Sequence, residues 1–172
     1  IPFFIKAIQK VLEHYPIFNT SLSENADYLI QKKYFNIGIA VNTDRGLVVP
    51  VIKDVNNKSI KSIAKELTIL ISKAKNKRLT IEDMSGGSIT ISSLGNIGGN
   101  FFTPLINPPE VAILGISKIN IKPILISNKF RARKIIPISL SYDHRVIDGS
   151  DAANFTSFFS KLISNPTLLN EK

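Results

Sequence analysis

Between Ser59 and Ala74 the apolar residues Ile60, Ile63, Ala64, Leu67, Leu70, Ile71 and Ala74 recur at spacings of three and four over four turns. That stripe puts them on one side of an amphipathic helix, which must lie against an apolar surface supplied by the rest of the chain. Ser59 fits its N-cap. A second helix is expected over 3–14, where Phe4, Ala7, Ile8, Val11 and Leu12 share a face and Pro16 marks the exit. A third starts near Ser150, turns Ala152, Phe155, Phe159, Leu162 and Ile163 inward, and stops before Pro166.

The surface for these helices is written in a different period. "YFNIGIAVNT" alternates Phe35, Ile37, Ile39 and Val41 with smaller or polar residues, "DRG" reads as a turn, and "LVVPVI" is a second extended run, so a hairpin is expected. Pro50 cannot donate to a ladder and belongs at a sheet edge, a bulge or a bend. "SITIS" (88–92), "EVAILGIS" (110–117) and "KIIPISLSY" (134–142) read as three more strands, and "KPILIS" with "NKFRAR" as a hairpin turning at Asn128. Thr80 and Asp83 have the spacing of a capping box before the Gly86-Gly87 break. About six strands and three helices predict an α/β domain: a two-layer mixed sheet with helices on one face, in a single domain spanning 1–172.

Composition closes several function classes. No cysteine is present, which removes disulfides, a cysteine nucleophile and thiolate metal sites. His14 and His144 are the only histidines, too few for a multi-histidine zinc site within one chain. No run of about 18 apolar residues spans a bilayer, and "IPFFIKAIQK" has no signal-peptide features, so the expectation is a soluble intracellular protein. The net charge of +9 points to anionic partners without choosing among them. Ile, Lys and Asn supply 60 of 172 residues, a general compositional bias, and the lysines are spread without interleaved aromatics, so nucleic-acid binding is an unfavoured alternative.

One stretch carries chemistry. In "ISLSYDHRVIDGSDAANF" (138–155), His144 follows a strand end and precedes a turn containing Gly149, where a rigid element fixes the Cα and leaves the side chain accessible. "HRVIDG" fits H-x-x-x-D-G. With "FNIGIAVNTDRGLVVPVIKDV", "GGSITISSLGNIGG", "TPLINPPEVAILGISK" and "PISLSYDHRVIDG" in order, the chain resembles the catalytic domain of dihydrolipoamide acyltransferases, the core component of 2-oxo-acid dehydrogenase complexes, over nearly all of residues 1 to 165. More distantly it resembles chloramphenicol acetyltransferases, which implies their fold.

The resemblance implies acyl transfer between coenzyme A and a dihydrolipoyl arm, acetyl being the group the segments most resemble. An ordinary thiol with a pKa of about 8.5 is only a few per cent ionised at neutral pH, so a base is needed, and His144 is the histidine placed to serve. Attack on a thioester makes an oxyanion that needs a fixed donor; by resemblance Ser92, the first serine of "TISSLG", takes that part. Asp148 joins the site as support for the loop rather than as a third triad member, and Asp143 and Arg145 flank the base. "GNIGG" (95–99) is no dinucleotide or ATP loop and is expected to turn beside a substrate channel, with Phe102, alongside Phe101, as an apolar wall.

By the same resemblance the partners are coenzyme A, a lipoyl domain, the 2-oxo-acid dehydrogenase and dihydrolipoamide dehydrogenase components, and copies of the chain itself. Those copies are expected to form homotrimers that build a hollow cube, the favoured form, or a dodecahedron, with the histidine of one chain facing the serine of its neighbour. The lipoyl group is a substrate arm carried elsewhere, no metal is expected, and the location implied is the bacterial cytoplasm. The sequence starts inside the family's catalytic domain, so its first part and the lipoyl and subunit-binding domains are expected to be missing. A non-catalytic core scaffold, or another acyl specificity such as succinyl or branched-chain, are the alternatives.

Overall fold

The computed structural model describes residues 1–95 and 97–169. In chain order these contain α1 (Pro2–His14), β1 (Thr20–Leu22), β2 (Leu29–Gln31), β3 (Ile37–Ile39), β4 (Val41–Thr43), β5 (Gly46–Val48), β6 (Val51–Ile52), α2 (Ile60–Lys75), β7 (Ile89–Ser93), β8 (Ala112–Ile116), β9 (Asn120–Ile126), β10 (Lys129–Ile135), β11 (Ile138–Tyr142) and α3 (Gly149–Ser164). Short 3₁₀ turns fill several of the connections.

The organising element is a mixed five-stranded sheet ordered β11-β8-β7-β3-β6. β3, β7 and β8 run parallel, and β6 and β11 close the two edges antiparallel. Side chains alternate across a strand. Ile37 and Ile39, Ile89 and Ile91, and Ala112, Leu114 and Ile116 therefore share one face, where they join a single core cluster with Ile8 and Leu12 of α1, Ile63 and Leu67 of α2, and Phe155 and Phe159 of α3. α1 packs against both α2 and α3, α2 meets β4 and β6, and α3 meets β11. This is the expected two-layer α/β arrangement. Each fully buried aliphatic or aromatic side chain contributes about 1.5–3 kcal/mol of transfer free energy, which is what holds the helices to that face.

The other face carries Gly38, Thr90, Ser92, Ile113, Gly115, Ser139 and Ser141 by the same alternation. It is small and largely polar, so no helix has reason to cover it.

Local signals were obeyed where they were strong. Ser59 Oγ accepts from Ser62 N at 3.2 Å, capping α2 as expected. Thr80 and Asp83 form the reciprocal capping box, with Asp83 N donating to Thr80 Oγ1 at 3.1 Å and Thr80 N to Asp83 Oδ2 at 3.0 Å. The Asp44-Arg45 turn joins β4 to β5, with Val41 opposite Val48. That hairpin breaks at Ala40 and at Val49-Pro50, so β3 and β6 pair separately in the main sheet. Pro50 sits at the break into edge strand β6, and its carbonyl accepts from Ile39 N.

One expectation needs correction. "KIIPISLSY" is not one strand: Lys134 and Ile135 end β10, and β11 begins at Ile138. Pro137 separates them because it has no N–H to give, while its carbonyl accepts from Ser117 N. His14, in the last turn of α1, stacks its ring on Phe158 at 4.9 Å and meets the edge of Tyr15 at 4.7 Å.

Candidate active site

His144 lies in a tight turn between β11 and α3. Asp143 organises that turn. Its N–H donates to Val111 O at 2.8 Å, extending the β8–β11 ladder by one step, and its carbonyl accepts from Val146 N and Ile147 N. Its carboxylate accepts from Arg145 N and Nε, both at 3.0 Å, and from Arg145 Nη2 at 2.6 Å. These bonds hold the Asp143 carboxyl below the usual carboxylate range and raise the guanidinium. Ile147, fully buried, plugs the loop into the core. The imidazole itself is left outside: its side chain is 70% exposed and its ring stands 5.5 Å from that of Tyr142.

Asp148 occupies the N-cap position of α3, where its backbone is extended and its side chain makes no cap bond. Its Oδ1 is 3.9 Å from His144 Nδ1, beyond hydrogen-bond reach, and its side chain is 80% exposed. Among the described residues the hydrogen bonds that fix the loop run through Asp143.

Ser92 sits near the end of β7, partly buried, with no hydrogen bond to its hydroxyl among the described residues. It stands in register with Gly115 of β8, and Gly115 with Ser139 of β11. Phe102 is brought to the same place. A Cβ on Gly115 would lie 2.9 Å from Phe102 Cζ and 3.2 Å from Pro104 Cγ, so the tip of the ring sits against the glycine beside Ser92. The glycine turn expected at 95–99 includes Asn96, outside the described residues; Gly98 and Gly99 adopt φ of +139° and +84°, which favour glycine. Phe101 points away into solvent, 68% exposed.

The fold does not bring Ser92 and His144 together in one chain. Ser139 marks the level of Ser92 on β11, and Tyr142 is three residues further along. That is about 10 Å along the strand, with about 9–10 Å more across two strand spacings, before the turn to His144 begins. A base and an oxyanion donor must both come within about 3 Å of one reacting group. Within one chain the two candidate residues therefore stand at opposite ends of the sheet.

One buried group escaped sequence reasoning. Glu110 is 6% exposed; its Oε1 accepts from Thr90 Oγ1 at 2.9 Å and from Asn107 Nδ2 at 3.4 Å, while Oε2 is buried with no partner among the described residues. Burial pushes this carboxyl up, only partly offset by those bonds and by Lys32. Lys32 Nζ donates to Gly87 O at 2.9 Å, and burial pushes its ammonium down. The available signal was an acid opening an otherwise apolar strand, since a lone carboxyl rarely goes into a core without a reason. No group of three His, Cys, Asp or Glu side chains suited to a metal occurs among the described residues, and no helix there is long and apolar enough to cross a membrane.

The sequence profile of the 2-oxoacid dehydrogenases acyltransferase (catalytic domain) family matches residues 1–170. The chain belongs to that family. Among acyltransferase relatives, the dihydrolipoyllysine-residue acetyltransferase component of the pyruvate dehydrogenase complex of Buchnera aphidicola from Acyrthosiphon pisum is 53% identical over 163 residues, 95% of this chain and 41% of the relative. The Haemophilus influenzae component of the same description is 51% identical over 96% of this chain and 29% of the relative. The chain thus spans less than half the length of these relatives. The Azotobacter vinelandii dihydrolipoamide acetyltransferase, in a structure addressing a serine, a histidine and an asparagine in its mechanism, superimposes with a TM-score of 0.95 at 46% identity, over 98% of this chain and 69% of that one. Chloramphenicol acetyltransferase, at 13% identity over 93% of this chain and 75% of that one, matches with a TM-score of 0.60 and shows the shared fold.

Proposed function

We propose that this chain is an acetyltransferase domain that moves an acetyl group between a dihydrolipoyl arm and coenzyme A, with His144 as general base and Ser92 of a neighbouring copy as oxyanion donor. The observation that carries the reading is spacing. Ser92 and His144 are 52 positions apart (144 − 92) and His144 and Asp148 are 4 apart (148 − 144); the serine, histidine and asparagine investigated in the Azotobacter enzyme stand at the same separations. The asparagine there also supports a loop-supporting role for Asp148, which needs a polar side chain rather than a charge.

The chemistry balances without a cofactor. Neutral His144 takes the proton from the coenzyme thiol, the sulfur attacks the thioester carbonyl of the acetylated dihydrolipoyl arm, and the electron pair of the C=O moves to oxygen. The Ser92 hydroxyl donates to that oxyanion. Collapse re-forms the carbonyl, breaks the bond to the dihydrolipoyl sulfur, and returns the proton from imidazolium to the departing thiolate. Positioned proton transfer contributes roughly 10²- to 10⁴-fold, and one oxyanion donor roughly 10²- to 10³-fold. Phe102, beside Ser92, shields that half of the site from water.

The separation of Ser92 from His144 in one chain supports assembly of copies; the likeness to the cubic core of a pyruvate dehydrogenase multienzyme complex supports homotrimers in a cubic core, and the lipoyl domain and the dehydrogenase components as partners belong to the same proposal. Turnover of acetyl-CoA with dihydrolipoamide should fall by roughly 10²- to 10⁴-fold in His144→Ala. Chains carrying His144→Ala or Ser92→Ala, each inactive alone, should regain activity when dissociated together and reassembled. Unchanged turnover in His144→Ala rejects the base; no recovery on mixing rejects the shared site.

A further inference from the structure

Glu110 is the only buried ionisable side chain among the described residues, and the acyl-transfer scheme leaves it unused. Its surroundings tie three parts of the chain together. Oε1 accepts from Thr90 Oγ1 at 2.9 Å and from Asn107 Nδ2 at 3.4 Å. Thr90 lies on β7 two residues before Ser92, so their side chains share a face of the sheet. Asn107 lies in the connection that leads from Phe102 to β8, and its carbonyl accepts from Glu110 N at 3.0 Å. The residue after Glu110 is Val111, 1% exposed, whose carbonyl takes the Asp143 N–H from which the His144 turn hangs.

The ladder alone does not fix that stretch. The β7–β8 register begins with Thr90 opposite Ile113, so residues 110–112 enter β8 with no partner on β7. The bond from Thr90 to Glu110 spans the gap. It also selects a state for the carboxyl, because Oε2 is buried with no partner, and an ionised oxygen there would lack any donor. The charged groups around it do not supply one. Lys32 Nζ is bound to Gly87 O and forms no ion pair with Glu110, and Arg145 is held by Asp143. Glu24 and Asp143, in the wall of the same cavity, add negative charge. A Cβ on Gly87 would collide with Oε1, so the Gly86-Gly87 turn closes the remaining side. Burial raises this carboxyl accordingly, and in its neutral form Oε1 remains the acceptor that Thr90 and Asn107 use.

We propose that Glu110 is a positioning residue for acyl transfer, fastening the entry of β8 to Thr90 and so setting the height of the His144 turn. The role rests on His144 being the general base. That imidazole is 70% exposed and no hydrogen bond among the described residues holds its ring, so its place is set by the backbone of the turn. Val111 carries that backbone, and Glu110 carries Val111. A catalytic group displaced by about 1 Å can lose about 10²-fold in rate. Thr90 is equally part of the device, since its hydroxyl is the donor and its strand also bears Ser92.

Acetyl transfer to coenzyme A by the full chain tests this, with circular dichroism to follow the fold. At pH 7, Glu110→Ala should lower kcat by about 10- to 100-fold. Glu110→Gln, which keeps the acceptor and cannot ionise, should stay within about threefold of the parent. Thr90→Val removes only the donor and should slow transfer by about 2- to 10-fold; adding it to Glu110→Ala should cost nothing further. The decisive readout is pH. A thiol of pKa about 8.5 is a few per cent ionised at pH 7 and about three-quarters ionised at pH 9. A misplaced base therefore matters less at pH 9, and the deficit of Glu110→Ala should shrink there, whereas a smaller folded fraction lowers turnover equally at both values. If Glu110→Ala does not fold, the same comparison is read from Thr90→Val. A deficit unchanged between pH 7 and pH 9 overturns the positioning role, as does parental turnover in Glu110→Ala or a Gln variant as slow as the Ala variant. Parental turnover in His144→Ala would instead reject the base and this role with it. An inactive His144→Ala beside an unimpaired Glu110→Ala rejects only the role of Glu110.

Discussion

Gly115 is where the packing beside Ser92 can be measured. Replacing it with alanine adds a Cβ 2.9 Å from Phe102 Cζ, 3.1 Å from Phe102 Cε1 and 3.2 Å from Pro104 Cγ. Ordinary carbon contacts lie at about 3.5–4.0 Å, so the ring and the proline must both retreat by several tenths of an ångström. Pro104 is buried, so the loop cannot simply swing into solvent. Overpacking of this kind costs about 1–3 kcal/mol. Replacing a strand glycine with alanine returns about 0.4–1 kcal/mol through the unfolded chain, and the net loss is about 1–2 kcal/mol. Urea unfolding should show a lower midpoint with an unchanged slope. Phe102→Leu removes the two nearest ring atoms, so Gly115→Ala combined with Phe102→Leu should cost less than the sum of the single changes, by about 1 kcal/mol in a double-mutant cycle. Strict additivity would refute the placement of Phe102 on Gly115, and with it the apolar wall beside Ser92.

Three further outcomes follow from the loops and caps. Asp143→Ala should lower turnover more than Asp148→Ala, and Asp148→Asn should stay within about tenfold of the parent, because the bonds to Arg145 run through Asp143; steady-state kinetics with the reverse order would reject the loop assignment. Ser59→Ala should destabilise the chain by about 1 kcal/mol in thermal or urea melts through loss of the α2 cap. Glu110 has a folded pKa above its unfolded value of 4.5, so it is neutral in both states well below that pH, and the unfolded chain ionises first as pH rises. Its stabilising contribution is present in acid and is lost as pH rises through the folded value. Glu110→Gln cannot titrate, so its stability relative to the parent should increase from about pH 4 to 8. A constant difference across that range would refute the burial argument.

Much of this protein was legible without coordinates. The 3.6-residue stripe of α2, the Ser59 cap, the Thr80–Asp83 box and the turns at Asp44-Arg45 and Asn128 are decided by residues within a few positions of one another, so the sequence carries their whole cause. The motif around "DHRVIDG" likewise marked His144 at a strand end, since a strand stop and a glycine turn are local events. Asp148 shows the limit of such reading: its spacing from His144 is the family's, yet the bonds that fix the turn belong to Asp143, which depends on Arg145 folding back and on Val111 lying across the ladder. Sheet order and register decided the rest, because they pair residues far apart in the chain and no local period encodes them. They set Ser92 level with Ser139 and so separated it from His144, and bury Glu110 beside Thr90. The candidate residues were written in the sequence; that one chain holds them at opposite ends of a sheet was settled only by how the strands align.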